Sequence, residues 1–231
     1  MINFISSSNE MIASYRYRVA SPMNGLLLEG IHSRVSSHFL LDATTVVYQK
    51  HFNACDYPDA IGARGMGMGV IYDICDDHSE TIYREHYNRM ISVAHALTCN
   101  SKAMAERIWN VWGKKAEIIP DPIIYRPLDR TPDLTKFLWF GFQGGIEPLI
   151  ERLHEVGDRQ LEVCTGPMRG FPALPNVTLT HFSPEEQERA FLRNGVAFIP
   201  YGGERFETKS ANRIIEALNA SMVVVTNGIP A

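Results

Sequence analysis

Short apolar runs alternate with longer stretches in which apolar residues recur every three or four positions, and this rhythm occurs twice along the 231 residues. Ile2-Asn3-Phe4-Ile5 predicts a first strand, followed by the polar loop 6–10 and a helix through Leu26-Leu27-Leu28 that stops near Gly30. Thr45-Val46-Val47-Tyr48 and the run 69–74 predict two more strands. Tyr83, Tyr87, Met90, Ile91 and Ala94 lie at helical spacing and predict a helix over 80–94. A strand at 96–99 follows. Asn100-Ser101 then caps a helix through Ala103, Met104, Ile108 and Val111, which Gly113 stops before a strand at 116–119. Alternating β and α segments of this kind predict a parallel sheet covered by helices.

The segment 120–127 carries Pro120, Pro122 and Pro127. Proline fixes φ and removes a donor, so this stretch reads as a stiff linker dividing the chain into domains 1–121 and 122–231. The rhythm restarts beyond it. A strand at 137–141 enters a turn at Gln143-Gly144-Gly145, and a helix through Leu149, Ile150 and Leu153 follows. Further strands are predicted at 161–166, 177–179, 196–200 and 222–226, with helices at 184–192 and 210–220. Two successive α/β units suggest a nucleotide-binding architecture with a cleft between the halves.

Composition narrows the function. With 45% hydrophobic and 21% charged residues the chain is of ordinary globular type, and a net charge of -4 gives no electrostatic case for nucleic acid as the main partner. No apolar run approaches the ~20 residues of a membrane span, and the first residues lack a signal-peptide pattern, so a cytoplasmic protein without stable membrane insertion is expected. The four cysteines contain no CxxC pair, which speaks against a disulfide framework. His78 and His86, near Asp76 and Asp77, match no common ligand spacing, and no metal is expected.

Candidate chemistry gathers where strands end. Arg16 and Arg18 follow the first strand, where an anionic ligand would lie in an α/β crevice; surface charge is the equally available reading. Asp76 and Asp77 follow the third, as cleft carboxylates or as ordinary loop and cap residues. Gly62, Gly65, Gly67 and Gly69 precede a strand instead of opening a helix, so they are not read as a phosphate-binding fingerprint. In the segment 206–220, Lys209 and Ser210 stand at a helix N-terminus, with Glu216 about two turns on. Unpaired N–H groups and the positive end of the helix dipole there suit a nucleotide diphosphate, and Glu216 suits ribose hydroxyls. Taken alone, the segment reads first as a capped amphipathic helix, with Ser210 as N-cap, Ile214, Ile215 and Leu218 facing a sheet, and Lys209, Arg213 and Glu216 solvated.

Five pieces taken together, at 70–77, 96–101, 118–122, 137–145 and 198–230, resemble a GT-B glycosyltransferase, most similar to family 4 (group 1). The resemblance implies two Rossmann-like β/α/β domains facing a cleft, with a donor site in the second and an acceptor site on the first. It implies metal-independent, retaining transfer from a nucleoside-diphosphate sugar, with no enzymatic base, no further cofactor, and a glycan, lipid, protein or modified nucleic acid as acceptor. By carry-over, Lys209 holds the diphosphate with Ser210, Ala211 and Asn212, Glu216 binds ribose, and Gly141 and Gly144 border the donor. Arg16, Arg18, Asp76 and Asp77 face the cleft from the first domain. The family's sugar-contacting Glu falls here on Thr208, with Glu207 one residue away as its replacement and Lys209 stabilising the leaving group. Relatives continue past the point where this sequence ends, so the second domain is expected to lack its closing elements. The alternatives are a non-catalytic nucleotide-sugar-binding or assembly module of degenerate GT-B fold and, more distantly, a sugar-nucleotide epimerase. The oligomeric state does not follow from the sequence.

Overall fold

The computed structural model describes residues 1–6, 9–168, 171–202 and 208–228. Strands β1 (Ile2–Ile5), β2 (Ser33–Ser36), β3 (Thr45–Gln49), β4 (Gly69–Ile74), β5 (Ala96–Cys99) and β6 (Glu117–Ile118) form a wholly parallel sheet in the order β2-β1-β3-β4-β5-β6. A second parallel sheet joins β7 (Lys136–Phe140), β8 (Gln160–Thr165), β9 (Val177–His181), β10 (Val196–Phe198) and β11 (Val223–Val225) in the order β11-β10-β7-β8-β9. Both are doubly wound. In each the strand order reverses once, between β1 and β3 in the first sheet and between β7 and β10 in the second. Ligands of open α/β sheets bind beyond the carboxyl ends of the strands at such a reversal.

Helices α1 (Ala13–Tyr15), α2 (Ser21–Leu28), α3 (Asp56–Gly65), α4 (Arg84–Val93) and α5 (Lys102–Trp112) belong to the first half. Helices α6 (Glu147–Glu151), α7 (Leu153–Val156), α8 (Pro184–Arg193) and α9 (Asn212–Asn219) belong to the second. Their ends follow local chemistry. The Ser101 hydroxyl accepts from the Met104 N–H at 3.1 Å to open α5, and Gly113 closes it at φ 61°. In α8 the Ser183 hydroxyl accepts from the Glu186 N–H at 3.1 Å, with Pro184 at the first position and Arg193 in the last turn. Val46, Val70, Leu138, Val163 and Ala197 on the inner strands are fully buried. Layers of helix over parallel strands require apolar residues of this kind on both faces.

The chain divides into two units. One comprises Met1–Pro122 together with Thr208–Ser210, the other Ile123–Glu207 with Ala211–Pro230. Among the described residues no helix is long and apolar enough to cross a membrane.

Some local expectations are corrected. Residues 56–65 form α3, where the glycine pattern had concealed a helix. Gly62 fits because a Cβ there would lie 3.6 Å from the Phe39 ring, ordinary contact, and Gly65 faces open space. Strand β2 was not expected, since a half-exposed edge strand of sequence SRVS carries a single apolar residue. The first helical stretch contains a π-helical turn, Arg16–Ala20, between α1 and α2. The N-cap of α9 is Ala211, without a side-chain cap, where Ser210 had been expected.

Candidate functional site

The carboxyl edge of the first sheet is crowded with ion pairs. Arg18 lies in the π-helical turn with its side chain 4% exposed. Its Nε donates to Asp73 Oδ2 at 3.0 Å, one Nη to the other Asp73 oxygen, and the second to the Ile119 carbonyl and, at 3.3 Å, to Asp121. Thr98 adds a 2.6 Å bond to Asp73. Burial opposes the Arg18 charge, yet the pairing with Asp73 outweighs it and raises the guanidinium above its ordinary value. Arg18 therefore faces neither a ligand nor solvent. It ties the turn after β1 to the ends of β4 and β6, and the expectation of a ligand-facing Arg18 is corrected on that ground. Arg16 is half-buried and donates to the Glu10 carbonyl at 2.7 Å.

Asp76 and Asp77 take different environments. The Asp77 carboxylate accepts from the Ser79 N–H at 2.9 Å, the Ser79 hydroxyl at 2.6 Å and Arg107 Nε at 3.0 Å, which fastens the loop after β4 to α5. Asp76 sits between two ammonium groups, Lys50 Nζ at 2.6 Å and Lys209 Nζ at 2.7 Å. Burial disfavours its charge, but Lys209 and Lys50 prevail and hold the carboxyl down at about 2. Lys209 is thus engaged with Asp76, in the segment 208–210 that belongs with the first unit. Lys50 takes a positive φ of 45° where the chain leaves β3.

Immediately beyond Lys50 lies a pair that the sequence reading passed over. His51 Nδ1 is hydrogen-bonded to Asp56 Oδ1, and Asp56 also accepts from the Asn53 N–H at 2.9 Å. His86 Nε2 approaches the second oxygen at 3.4 Å. Asp56 is the first residue of α3, where helix polarity favours a carboxylate. Phe52 stacks on Tyr83 at 4.4 Å between centroids and meets His78 and His86 edge-on. Burial lowers the His78 pKa against the opposing pull of Asp76. The available signal for the pair was a histidine just after a strand and an aspartate opening the next helix.

The second sheet presents a different edge. β7 runs into Gly141, whose carbonyl accepts from the Thr165 hydroxyl at 2.8 Å. A Cβ at Gly141 would stand 3.2 Å from Arg213 Nη1 and 3.4 Å from the Trp139 ring. At Gly144 it would meet the Phe142 ring at 2.8 Å. Arg213, the second residue of α9, lies over the Tyr201 ring at 4.9 Å and the Trp139 ring at 5.8 Å. Burial lowers its pKa, although a guanidinium remains charged at neutral pH. A cation thus stands at the reversal between β7 and β10, where the sequence reading had placed Arg213 in solvent. Glu216, one turn on, is buried, and Gln187 Nε2 donates to its Oε2 at 3.1 Å. The solvated reading of Glu216 is corrected by that burial. Ala211 and Asn212 are half-buried at the head of α9, and Ser210 precedes them in the first unit. Glu207 lies outside the described residues. A depression of about 890 Å³ is lined by Arg130, Lys136, Glu162 and Arg193. It opens near the amino ends of β7 and β8, away from the edge where such folds bind ligands.

Two doubly wound parallel sheets, each covered by helices, define an α/β protein of two Rossmann-like units. MurG from Acinetobacter baumannii, a GT-B glycosyltransferase, matches with a TM-score of 0.50 and 11% identity, over 100% of this chain and 78% of MurG. That likeness is one of fold, and the fold is of GT-B type. D-lactate dehydrogenase from Lactobacillus jensenii matches with a TM-score of 0.28 and 12% identity, over 97% of this chain and 78% of its own. The Escherichia coli D-lactate dehydrogenase matches at 0.29 and 11%, over 98% and 74%. Scores at that level carry no argument. No family model matches the sequence, and no curated protein does either.

Proposed function

We propose that this chain is a glycosyltransferase that takes a sugar from a nucleoside-diphosphate donor. The observation that carries the reading is the edge of the second sheet: a glycine turn at Gly141, the Arg213 guanidinium beside it, and α9 beginning at the strand reversal. In glycosyl transfer, negative charge builds on the leaving diphosphate as the anomeric carbon becomes cation-like. Fixed positive groups aimed at that charge lower the barrier, and neither Arg213 nor the N–H groups of α9 requires a metal to supply them. Lys209 is a second cation for the diphosphate, at the cost of its pairing with Asp76. Gln187 fixes the Glu216 carboxylate, which suits it to receive ribose hydroxyls. The acceptor belongs to the first unit. Retention of configuration comes with the resemblance to family 4.

Calorimetric titration with UDP, GDP and ADP, in EDTA and in Mg²⁺, tests the donor site. One diphosphate is expected to bind equally in both conditions, and Arg213→Ala is expected to weaken it at least tenfold, about 1.4 kcal/mol, while leaving the melting temperature within a few degrees. Failure of all three to bind would overturn the reading. A second reading, a binding module without turnover, is favoured by Thr208 at the position where the resembling family carries its sugar-contacting Glu. Release of nucleotide from a bound donor would exclude it.

A further inference from the structure

We infer that the exposed ring of Phe142 is a platform on which the nucleobase of the donor stacks. The inference rests on the nucleoside-diphosphate reading above and deepens it, and every residue it uses belongs to the second unit.

An exposed phenylalanine is the exception in this unit. Phe140, Phe182, Phe191 and Phe198 are buried in its two apolar clusters, and Phe137 and Phe171 pack against one of them. Phe142 joins neither cluster and is 69% exposed, so the core does not account for the ring. Its position is nonetheless fixed. On one side the Gly141 N–H donates to the Cys164 carbonyl at 3.2 Å, and the Gly141 carbonyl accepts from Thr165. On the other, the Phe142 carbonyl accepts from the Gly145 N–H at 2.9 Å. The ring lies against Gly144, where a Cβ would come within 2.8 Å of it, nearer than side-chain carbons approach one another. Gly144 has no positive φ, so the ring and not the backbone conformation excludes a side chain there. One side of the ring is thus seated on the turn, and the other is open to solvent.

The place and the chemistry point the same way. Phe142 directly follows Gly141, beside which Arg213 stands, at the carboxyl edge where the strand order reverses between β7 and β10. Consecutive Cα atoms are about 3.8 Å apart, so a diphosphate held by Arg213 brings its own nucleoside within reach of the ring. The Phe142 side chain has no polar atom and cannot hold phosphate, so what it offers a ligand is a flat aromatic surface. A nucleobase presents the matching surface, and an aromatic side chain beneath a base is worth about 5- to 150-fold in affinity. Every base has such a face, so the ring strengthens binding without choosing the base.

The test is calorimetric titration of the full chain and its Phe142 variants with UDP, GDP and ADP, with pyrophosphate measured by competition against the diphosphate that binds. Phe142→Ala is expected to weaken that nucleoside diphosphate about tenfold and to leave the competition constant of pyrophosphate within twofold of wild type. Phe142→Leu keeps apolar bulk but loses the aromatic face, and is expected to fall in the same way. Phe142→Tyr keeps the face and is expected to stay within twofold of wild type. All three are expected to melt within a few degrees of wild type. Nucleoside-diphosphate affinity within twofold of wild type in Phe142→Ala or Phe142→Leu would overturn the inference, and so would an equal loss on pyrophosphate. A melting temperature lowered by ten degrees or more in both Phe142→Ala and Phe142→Leu would assign the ring to packing and overturn it too. A loss seen with the glucose-bearing nucleotide but not with its diphosphate would place the ring under the sugar, again against the inference. Each of these results leaves the donor reading standing, whereas failure of wild type to bind any of the three diphosphates would overturn both.

Discussion

The two carboxyl edges occupy the same position in two related sheets and are furnished in opposite ways. On the first, charges are matched within the protein: Arg18 with Asp73 and Asp121, Arg107 with Asp77, Lys50 and Lys209 with Asp76. On the second, the turn is glycine and the cation, Arg213, rests on aromatic rings. Ion pairs on the first edge fix loops within the first unit, and the buried His51–Asp56 hydrogen bond does the same after β3. Arg213 instead lies over two ring faces, with Tyr201 as hydrogen-bond partner and Glu216 the carboxylate that acts on its charge. The comparison teaches that a charged residue after a strand, such as Arg18, does not by itself mark a ligand site, because a carboxylate distant in the chain can already hold it.

The contrast can be broken most forcefully at Arg18. Removing it leaves Asp73 buried and short of its main partner, so Arg18→Ala is expected to cost about 3–5 kcal/mol in urea unfolding. A loss below 1 kcal/mol would mean that the edge is not held by this pair. Asp76 offers a smaller and pH-resolved effect. Its folded pKa of about 2 lies below the ordinary 3.8, so the stabilisation is complete above 3.8 and is lost as pH falls through about 2. It amounts to at most on the order of 2 kcal/mol, because solvent screens the exposed Lys209. Asp76→Asn is expected to flatten stability against pH in that window. The smallest effect belongs to the second edge. Gly141→Ala is expected to cost about 1 kcal/mol through crowding of Arg213 and Trp139, and to weaken nucleotide binding several-fold more than stability alone explains. Equal binding in Gly141→Ala and wild type would separate Gly141 from the donor site.

Much of the architecture was legible because parallel strands buried on both faces read as plain apolar runs. Val70 to Ile74, Leu138 to Phe140 and Leu161 to Cys164 are such runs, and Ser101 and Gly113 mark helix ends by chemistry that acts within a few residues. Local signals failed where the deciding partner is distant in sequence. Arg18 is decided by Asp73, 55 residues away, and Lys209 by Asp76, 133 residues away. Helix α3 was hidden because glycine weakens a helical pattern, even though its first turn carried Asp56 and Asp59. Arg213 looked solvated because nothing near it in the chain announces Tyr201 and Trp139. His51 and Asp56 are only five residues apart and were missed for a different reason: Asp56 opens the helix that the glycines had hidden.

The π-helical turn at Arg16–Ala20 has a consequence for how this region tolerates change of length. Tyr17, Arg18 and Val19 are buried in succession, at 2%, 6% and 0% exposure, which a regular α-helix with one inward face does not readily permit. The wider turn accommodates the additional residue and shifts the phase of everything after it by about 100°. Deleting one residue here would restore ordinary helical hydrogen bonding and at the same time rotate either Arg18 away from Asp73 or the following turns away from their contacts. The irregular turn is therefore the phase-setting joint of the segment, and a deletion that regularises the backbone would be more damaging than most substitutions within it.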